Sequence, residues 1–191
     1  MVRRQKGGRA EAMNTLKRTV ALVGMMGAGK SSVGRRLAAR LDVPFHDSDV
    51  EIEAAAGCAV AEIFERFGET AFRAGERKVI ARLLREPPHV MATGGGALLD
   101  TETQAEIAKG AFSIWLKAPV ELLVARVARR QSRPLLRQGD PRETIRRLLK
   151  EREPVYALAD LTLEVEDSPH AAMVERILAA LSERSLMTDH D

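Results

Sequence analysis

Residues 24–31 read Gly-Met-Met-Gly-Ala-Gly-Lys-Ser and constrain this chain more than any other segment. They match Gly-x-x-x-x-Gly-Lys-[Ser/Thr], the phosphate-binding P-loop, with the strand-like run Thr19–Val23 before them and a helical pattern over residues 32–41 after them. A strand that enters a glycine turn and then a helix directs backbone N–H groups at polyphosphate. A glycine turn without a ligand is the alternative, but a chain of this length matches the pattern by chance with a probability of only about one per cent. The chain is therefore expected to bind a nucleoside triphosphate.

The P-loop motif also predicts what its residues do. The glycines permit backbone conformations that are closed to other residues, so that successive N–H groups point at one anion. The Lys30 ammonium is expected to lie on the β- and γ-phosphates, and the Ser31 hydroxyl is expected to bind Mg²⁺. The predicted nucleotide-binding residues of the loop are Gly27, Ala28, Gly29, Lys30, Ser31 and Ser32.

The composition is that of a single-domain globular protein of 191 residues, with 45% hydrophobic and 30% charged residues. No apolar stretch approaches the roughly 20 residues that cross a bilayer, and the N-terminus lacks the apolar core of a secretory signal. Cys58 is the only cysteine, which excludes an intrachain disulfide and a multi-cysteine metal site. We therefore expect a cytoplasmic protein with no membrane partner.

The net charge of +3 has its origin in the N-terminal residues rather than in the body of the chain. Residues 1–18 contain one acidic residue, Glu11, against six basic ones: Arg3, Arg4, Lys6, Arg9, Lys17 and Arg18. The rest of the chain is consequently close to neutral. A basic, glycine-containing segment of this kind is typical of a solvated, disordered arm, so its charge does not indicate a nucleic-acid partner.

Strand-like and helical segments alternate along the chain. Apolar runs predict strands at residues 19–23, 42–46, 89–92, 112–116 and 161–165. Helical patterns are found at residues 32–41, 61–67, 72–84, 101–109, 119–130, 141–153 and 169–181. The alternation implies right-handed βαβ units, hence an α/β fold with a central five-stranded parallel sheet and helices on both faces. Ligands of such sheets bind at the carboxyl ends of the strands.

Two carboxylates follow the second predicted strand. Asp47 and Asp49 flank Ser48 and, in extended geometry, face the same cleft. One carboxylate can order Mg²⁺ or its water shell, and the other can accept a hydrogen bond from a substrate hydroxyl. An Asx turn that caps the next helix is the alternative, and it is compatible with both roles.

Three consecutive glycines, Gly94, Gly95 and Gly96, follow the third predicted strand. They remove every side chain where the backbone reaches the edge of the sheet. The segment is either a plain flexible turn or a floor of backbone N–H groups against which a small polar molecule packs.

Most of the arginines are expected on solvated helix faces, but four have more specific surroundings. Arg73 lies near the head of a predicted helix, with Glu76 positioned for an i,i+3 contact that fixes the guanidinium. Arg133 lies in an Arg/Gly/Pro loop typical of a mobile lid, and Arg126 lies close to that loop. Arg152 is predicted at the end of a helix stopped by Pro154. Because fixed guanidinium groups bind carboxylates bidentately, the substrate is expected to carry a carboxylate.

In their order along the chain, these motifs resemble those of the shikimate kinase family. The pattern of that family runs Gly-x-x-Gly-x-Gly-Lys-Ser, Asp-x-Asp, Phe-Arg, Gly-Gly-Gly, Arg-Pro-Leu-Leu and Glu-Arg-x-Pro-x-Tyr. The corresponding segments here are residues 24–31, 47–49, 72–73, 94–96, 133–136 and 151–156. The P-loop alone is shared by many nucleotide-binding proteins, whereas the ordered set is specific, and the similarity covers about residues 16–183.

The resemblance implies a three-layer P-loop NTPase fold similar to that of nucleoside monophosphate kinases, with a closing lid. It implies transfer of the ATP γ-phosphate to the 3-hydroxyl of shikimate. The domain is then expected at residues 16–183, with substrate-binding helices at about 48–85 and the lid at about 127–141. Residues 1–15 are expected to form the basic arm, and residues 184–191 a flexible tail.

The resemblance also implies roles for individual residues. Lys30, Asp49 and Arg133 are the expected catalytic residues, and Ser31 and Asp47 the expected metal-binding residues. Arg126, Arg133 and Ser168 would contact the nucleotide, Ser168 through the turn 167–169. The residues expected to bind shikimate are Asp49, Arg73, Gly94, Gly95, Gly96 and Arg152.

Three other functions compete with this one. A P-loop kinase for gluconate shares the same chemistry and is disfavoured by the family pattern alone. A nucleoside monophosphate fits two arginines that are expected to bind a carboxylate less well than a polyhydroxylated acid does. A non-catalytic ATP-binding protein should lack part of the catalytic set, yet every member is present. We expect a monomer that uses ATP and Mg²⁺ and binds no nucleic acid.

Overall fold

A five-stranded parallel sheet forms the centre of the protein in a computed structural model that describes residues 16–128 and 140–188. The strand order is β2-β3-β1-β4-β5. The strands are β1 (Thr19–Val23), β2 (Phe45–Asp47), β3 (Val90–Ala92), β4 (Ala111–Lys117) and β5 (Leu161–Glu164). The predicted α/β fold with five parallel strands is therefore confirmed.

The middle of the sheet is covered on both faces. All five residues of β1 are buried, including alternate residues that point to opposite faces. β1 lies between β3 and β4, with Val20 beside both Val90 and Phe112. The outer strand β5 alternates between half-buried and exposed residues, as expected at an edge.

Helices connect successive strands, as parallel pairing requires. The described helices are α1 (Lys30–Leu41), α2 (Ser48–Ala56), α3 (Val60–Leu83), α4 (Thr101–Gly110), α5 (Val120–Ala128), α6 (Pro141–Tyr156) and α7 (His170–Glu183). A short 3₁₀ turn, Ala97–Leu99, precedes α4. Among the described helices, none is long and apolar enough to cross a membrane.

One helix boundary differs from the sequence-based prediction, whereas two predicted helices stay separate. The helices predicted at 61–67 and 72–84 are the two segments of α3, which are separated by a kink at Gly68 with φ 77° and ψ 174°. Arg73 lies near the start of the segment after the kink, as predicted. Helix α6 continues past Pro154 and ends at Tyr156. Proline at this point removes only one N–H donor near the helix end, and the helix absorbs that loss.

The ends of the described chain meet at the start of β1. Leu16 forms an isolated antiparallel bridge with Met187, and the Lys17 N–H donates to the Leu186 carbonyl at 3.0 Å. Leu186 and Met187 of the expected tail are thus paired here. The expected arm, residues 1–15, lies outside the described residues, as do residues 129–139 of the expected lid.

Gly34 lets α1 approach the edge strand β2. A Cβ atom at this position would lie 2.5 Å from Cε2 of Phe45 and 3.3 Å from Cδ1 of Leu22. We expect Gly34→Ala to destabilise the fold by about 1–2 kcal/mol, because overpacking outweighs the gain in helix propensity. The melting temperature should fall by about 2–8 °C.

Gly75→Ala is the matched control for Gly34→Ala, since Gly75 also lies inside a helix but a Cβ atom added there would meet no atom within 4 Å. This control should leave the melting temperature unchanged or raise it. Equal melting temperatures for the two variants would show that the helix–strand contact at Gly34 is not tight.

Candidate active site

The P-loop joins β1 to α1 at the carboxyl end of the sheet. Gly24, Gly27 and Gly29 have φ angles of 130°, 83° and 98°, all in the region that favours glycine. A Cβ on Gly24 would lie 2.8 Å from the Leu116 carbonyl oxygen, so β4 also requires glycine there. The loop is therefore shaped both by its own backbone and by the strand beside it.

Lys30 is the first residue of α1, and its side chain folds back over the loop. The ammonium donates to the carbonyl oxygens of Gly24 at 2.7 Å and Met25 at 3.0 Å. Only 8% of the residue is exposed. The Ala28 N–H donates to the Met25 carbonyl within the same turn. The predicted phosphate-binding lysine is thus held at the centre of the loop.

Ser31 and Asp47, the two residues predicted to bind the metal, are in contact. The Ser31 hydroxyl donates to Asp47 Oδ2 at 2.5 Å, and the Asp49 N–H donates to Asp47 Oδ1 at 3.2 Å. Asp47 is also the N-cap of α2, so the Asx turn weighed as an alternative is present together with the pair. A hydroxyl beside a carboxylate at a helix N-terminus fits Mg²⁺, which prefers oxygen ligands and keeps several waters. The described residues contain no group of three or more acidic, His or Cys side chains that would form a larger cage.

One cavity of about 430 Å³ joins the P-loop to the carboxylates. Ten predicted residues line it: Gly27, Gly29, Lys30, Ser31, Ser32, Asp47, Asp49, Gly95, Arg126 and Ser168. Asp167, Pro169 and His170 also line it, at the start of α7. The cavity is therefore lined by cationic side chains and a helix N-terminus, and also by the carboxylates of Asp47 and Asp49.

Arg126 reaches the P-loop from α5. Its Nη1 lies 3.5 Å from the Gly27 carbonyl oxygen and 3.4 Å from that of Ala28, at the long limit of hydrogen bonding. A Cβ on Gly29 would lie 3.6 Å from the same Nη1 and 3.4 Å from the His170 ring. Arg126 and His170 thus flank the glycine that begins α1.

Arg73 is fixed by acidic residues of its own helix, as the i,i+3 spacing predicts. Its Nη1 donates to Glu76 Oε2 at 2.6 Å, and its Nη2 donates to Glu69 Oε1 at 3.3 Å. Glu76 is only 1% exposed, and this burial raises the pKa of its carboxyl against the opposing effect of Arg73. In the described part of the chain, Glu76 Oε1 has no hydrogen-bond partner.

The three glycines after β3 each stand against a different polar side chain. A Cβ on Gly94 would lie 2.7 Å from Asp49 Oδ1, and one on Gly96 would overlap Arg73 Nη2. A Cβ on Gly95 would lie 3.4 Å from Arg152 Nη1. The side chains predicted to bind one substrate therefore converge on one short loop, residues 94–96.

Arg152 approaches the same loop from α6. Its Nη1 donates to the Gly95 carbonyl at 3.1 Å, and the residue is 8% exposed. Across residues 16–128 and 140–188, no acidic side chain forms a salt bridge with it, and its Nε has no partner. Unlike Arg73, this guanidinium is held by a neutral backbone oxygen and keeps its charge available for an anion.

Sequence reasoning assigned no role to two residues at the site. His170 follows Pro169 directly and was not distinguished from other helix-starting residues. Tyr156 is the last residue of the segment 151–156 and follows Arg152 by four positions. This i,i+4 spacing, which places both residues on one face of α6, is the signal that could have indicated its place at the site. Of the predicted site residues, Arg133 lies outside the described part of the chain.

The arrangement suits transfer of a phosphoryl group. The cavity offers backbone N–H groups and an ammonium to a polyphosphate, and the loop 94–96 brings together a carboxylate and two guanidinium groups that suit a hydroxylated acid. Asp49 connects the two, since it lines the cavity and also approaches Gly94.

Comparison with known proteins agrees with this geometry. The family model described as shikimate kinase matches residues 26–182. A shikimate kinase of Caulobacter vibrioides is 57% identical over 164 residues, which cover 86% of this chain and 82% of the relative. The solved structure of the shikimate kinase from Acinetobacter baumannii in complex with shikimate matches with a TM-score of 0.86 and 38% identity, covering 92% of this chain and 98% of that one.

A gluconokinase from Sinorhizobium meliloti matches with a TM-score of 0.61 and 18% identity, covering 88% of this chain and 94% of that one. At this identity the likeness shows a shared fold alone.

Proposed function

Since the chain belongs to the shikimate kinase family, we propose how its residues divide the work of that reaction. The enzyme transfers the γ-phosphoryl group of ATP to the 3-hydroxyl of shikimate, which gives shikimate 3-phosphate and ADP (EC 2.7.1.71). The reaction belongs to aromatic amino-acid biosynthesis through chorismate. Each of the three tasks of the site, which are phosphate binding, metal binding and acceptor binding, falls to a separate group of side chains.

Lys30 and the loop N–H groups bind the β- and γ-phosphates of ATP. The support is the position of the Lys30 ammonium over the loop and the left-handed glycines that turn the N–H groups inward. Arg126 and Ser168 line the same cavity and bind the nucleoside. Arg133, which lies outside the described residues, is the further side chain that we assign to phosphate binding.

Ser31 and Asp47 would hold Mg²⁺, Ser31 through its hydroxyl and Asp47 through bound water. The 2.5 Å contact between their oxygens supports this assignment. When bound, the ion neutralises charge on the phosphate oxygens.

Arg73 and Arg152 bind the carboxylate of shikimate, and Gly94, Gly95 and Gly96 pack against its ring. Arg73 contributes a guanidinium oriented by Glu76, and Arg152 contributes one that no described acidic side chain neutralises. A fixed fork of N–H donors matches a carboxylate bidentately.

Asp49 accepts a hydrogen bond from the reacting hydroxyl and takes its proton as the new oxygen–phosphorus bond forms and the bond to ADP breaks. Phosphoryl transfer depends mainly on positioning and on stabilising charge, so the orientation of the hydroxyl is the larger part of this role. Lys30 and Arg133 stabilise the charge of the transferring group.

The convergence of Asp49, Arg73 and Arg152 on residues 94–96 is the observation that carries the assignment of the acceptor site. Gluconate kinase activity is the alternative that the sequence left open, and the match to the shikimate kinase family model disfavours it.

A panel of acceptors in an ADP-release assay tests the function directly. We expect turnover with shikimate and at most about one per cent of that rate with gluconate or nucleoside monophosphates. A site whose polar groups hydrogen-bond one substrate rejects ligands that leave those polar groups without a partner. ATP hydrolysis without any acceptor is the control for uncoupled turnover. A preference for gluconate would overturn the assignment.

We further propose that the enzyme acts as a monomer in the cytoplasm and binds neither nucleic acid nor membrane. The support is that one chain contains the whole described site and that its single cysteine allows no intrachain disulfide.

A further inference from the structure

Tyr156 is the last residue of α6 and one of the most deeply buried side chains of the protein, with 1% of the residue exposed. Its hydroxyl donates to the Gly95 carbonyl oxygen and lies 3.7 Å from the sulfur of Met25. Its ring lies 5.8 Å from that of Trp115, measured between centroids. The hydroxyl is buried and donates to a backbone oxygen of residues 94–96, which we call the substrate loop. Core packing alone would not require so specific a position.

The Gly95 carbonyl accepts from two donors on the same helix. Arg152 Nη1 donates to it at 3.1 Å, and Tyr156, one helical turn later, donates to it as well. Since no described acidic side chain holds Arg152, its guanidinium is oriented by this carbonyl together with the Tyr156 hydroxyl beside it. Arg73 differs, because Glu76 and Glu69 hold it independently of the loop.

Gly95 is also the point where the substrate loop meets the P-loop. A Cβ there would lie 3.4 Å from the Met26 nitrogen and 3.7 Å from the Gly24 carbonyl oxygen. A shift of residue 95 would therefore displace the acceptor site relative to the phosphates.

We propose that Tyr156 is a positioning residue for the acceptor: its hydroxyl fixes the Gly95 carbonyl and thereby sets the orientation in which Arg152 meets the carboxylate of the substrate. The proposal rests on the function proposed above, because it takes Arg152 as a carboxylate ligand. It gives Tyr156 no contact with the substrate and no part in proton transfer.

Burial agrees with this role, since it raises the pKa of Tyr156 to about 12. The hydroxyl thus remains protonated at neutral pH and acts as a donor, as a carbonyl partner requires.

Tyr156→Phe tests the proposal, because it removes the hydroxyl and keeps the ring in its packing. We expect the KM for shikimate and its Kd, measured by calorimetry without nucleotide, to rise about three- to tenfold, the loss that one buried hydrogen bond accounts for. The KM for ATP should stay within about twofold, because nucleotide binding does not use Arg152.

Thr19→Val is the matched control. It also removes one buried hydroxyl, which lies 3.4 Å from His89 Nδ1 at the opposite end of β1. The control variant should show unchanged constants for both substrates, so that a general effect of losing a buried hydroxyl is separated from positioning.

A second variant tests the route through Arg152. If Tyr156 acts by orienting that guanidinium, Tyr156→Phe should have less effect in an Arg152→Lys background than in the wild type. Full additivity would overturn the proposed route. An unchanged Kd for shikimate in Tyr156→Phe, or an equal rise in the KM for ATP, would overturn the proposal as a whole. Failure of the wild-type protein to phosphorylate shikimate would instead overturn the proposed function.

Discussion

Asp49→Asn is expected to lower kcat by about 10²- to 10⁴-fold, the range that general-base side chains contribute. The asparagine keeps the size of the side chain and one accepting oxygen, so shikimate should still bind. It cannot take the proton of the reacting hydroxyl. The backbone bond from residue 49 to Asp47 Oδ1 involves the N–H and survives the substitution. Steady-state kinetics with both substrates varied give kcat and the two KM values separately.

Asp42→Asn provides the matched control for Asp49→Asn. Asp42 is exposed, caps the end of α1 with φ 52°, and lies outside the cavity. Asparagine tolerates this backbone conformation, so the control should keep full activity. A kcat for Asp49→Asn close to that of the wild type would exclude proton transfer to Asp49.

Gly96→Ala is expected to raise the KM for shikimate by about 10²-fold, which corresponds to the loss of a charge-paired contact. The φ of Gly96 is −110°, so alanine meets no backbone strain. Its Cβ would overlap Arg73 Nη2 and would displace the guanidinium from the loop. The KM for ATP should change little, because the three atoms nearest to this Cβ position all belong to Arg73. Kinetics and direct titration with shikimate measure the effect.

Gly75→Ala again serves as the control, since it makes the same change close to Arg73 on α3 with no atom within 4 Å of the added Cβ. It should leave the shikimate KM unchanged. If Gly96→Ala and Gly75→Ala behave alike, the close approach of Arg73 to the substrate loop does not matter for binding.

Local patterns made much of this fold predictable. The P-loop is a contiguous segment whose glycines report its backbone directly, and Thr19–Val23 and residues 112–116 are apolar runs that could only be buried strands. The Arg73–Glu76 pair was predictable because both residues lie on one helix, three positions apart. These features depend only on residues that are close together in the sequence, so a local sequence pattern is enough to predict them.

Contacts between distant segments were not predictable in the same way. The bond from Tyr156 to Gly95 joins residues 61 positions apart, and the approach of Arg73 to Gly96 depends on how α3 packs beside the loop. The sequence around His170 did not indicate a place at the site, because that place depends on the approach of its ring to Gly29.

The two bonds from Lys30 to the carbonyl oxygens of Gly24 and Met25 have a thermodynamic consequence. An ammonium that already has two oxygen partners exchanges them when a phosphate arrives, so its net gain in the ground state is small. Its attraction strengthens as negative charge shifts towards the oxygen that leaves with ADP in the loose transition state. We therefore expect Lys30 to contribute more to the rate of the chemical step than to the affinity for ATP, which is the condition under which binding energy accelerates a reaction.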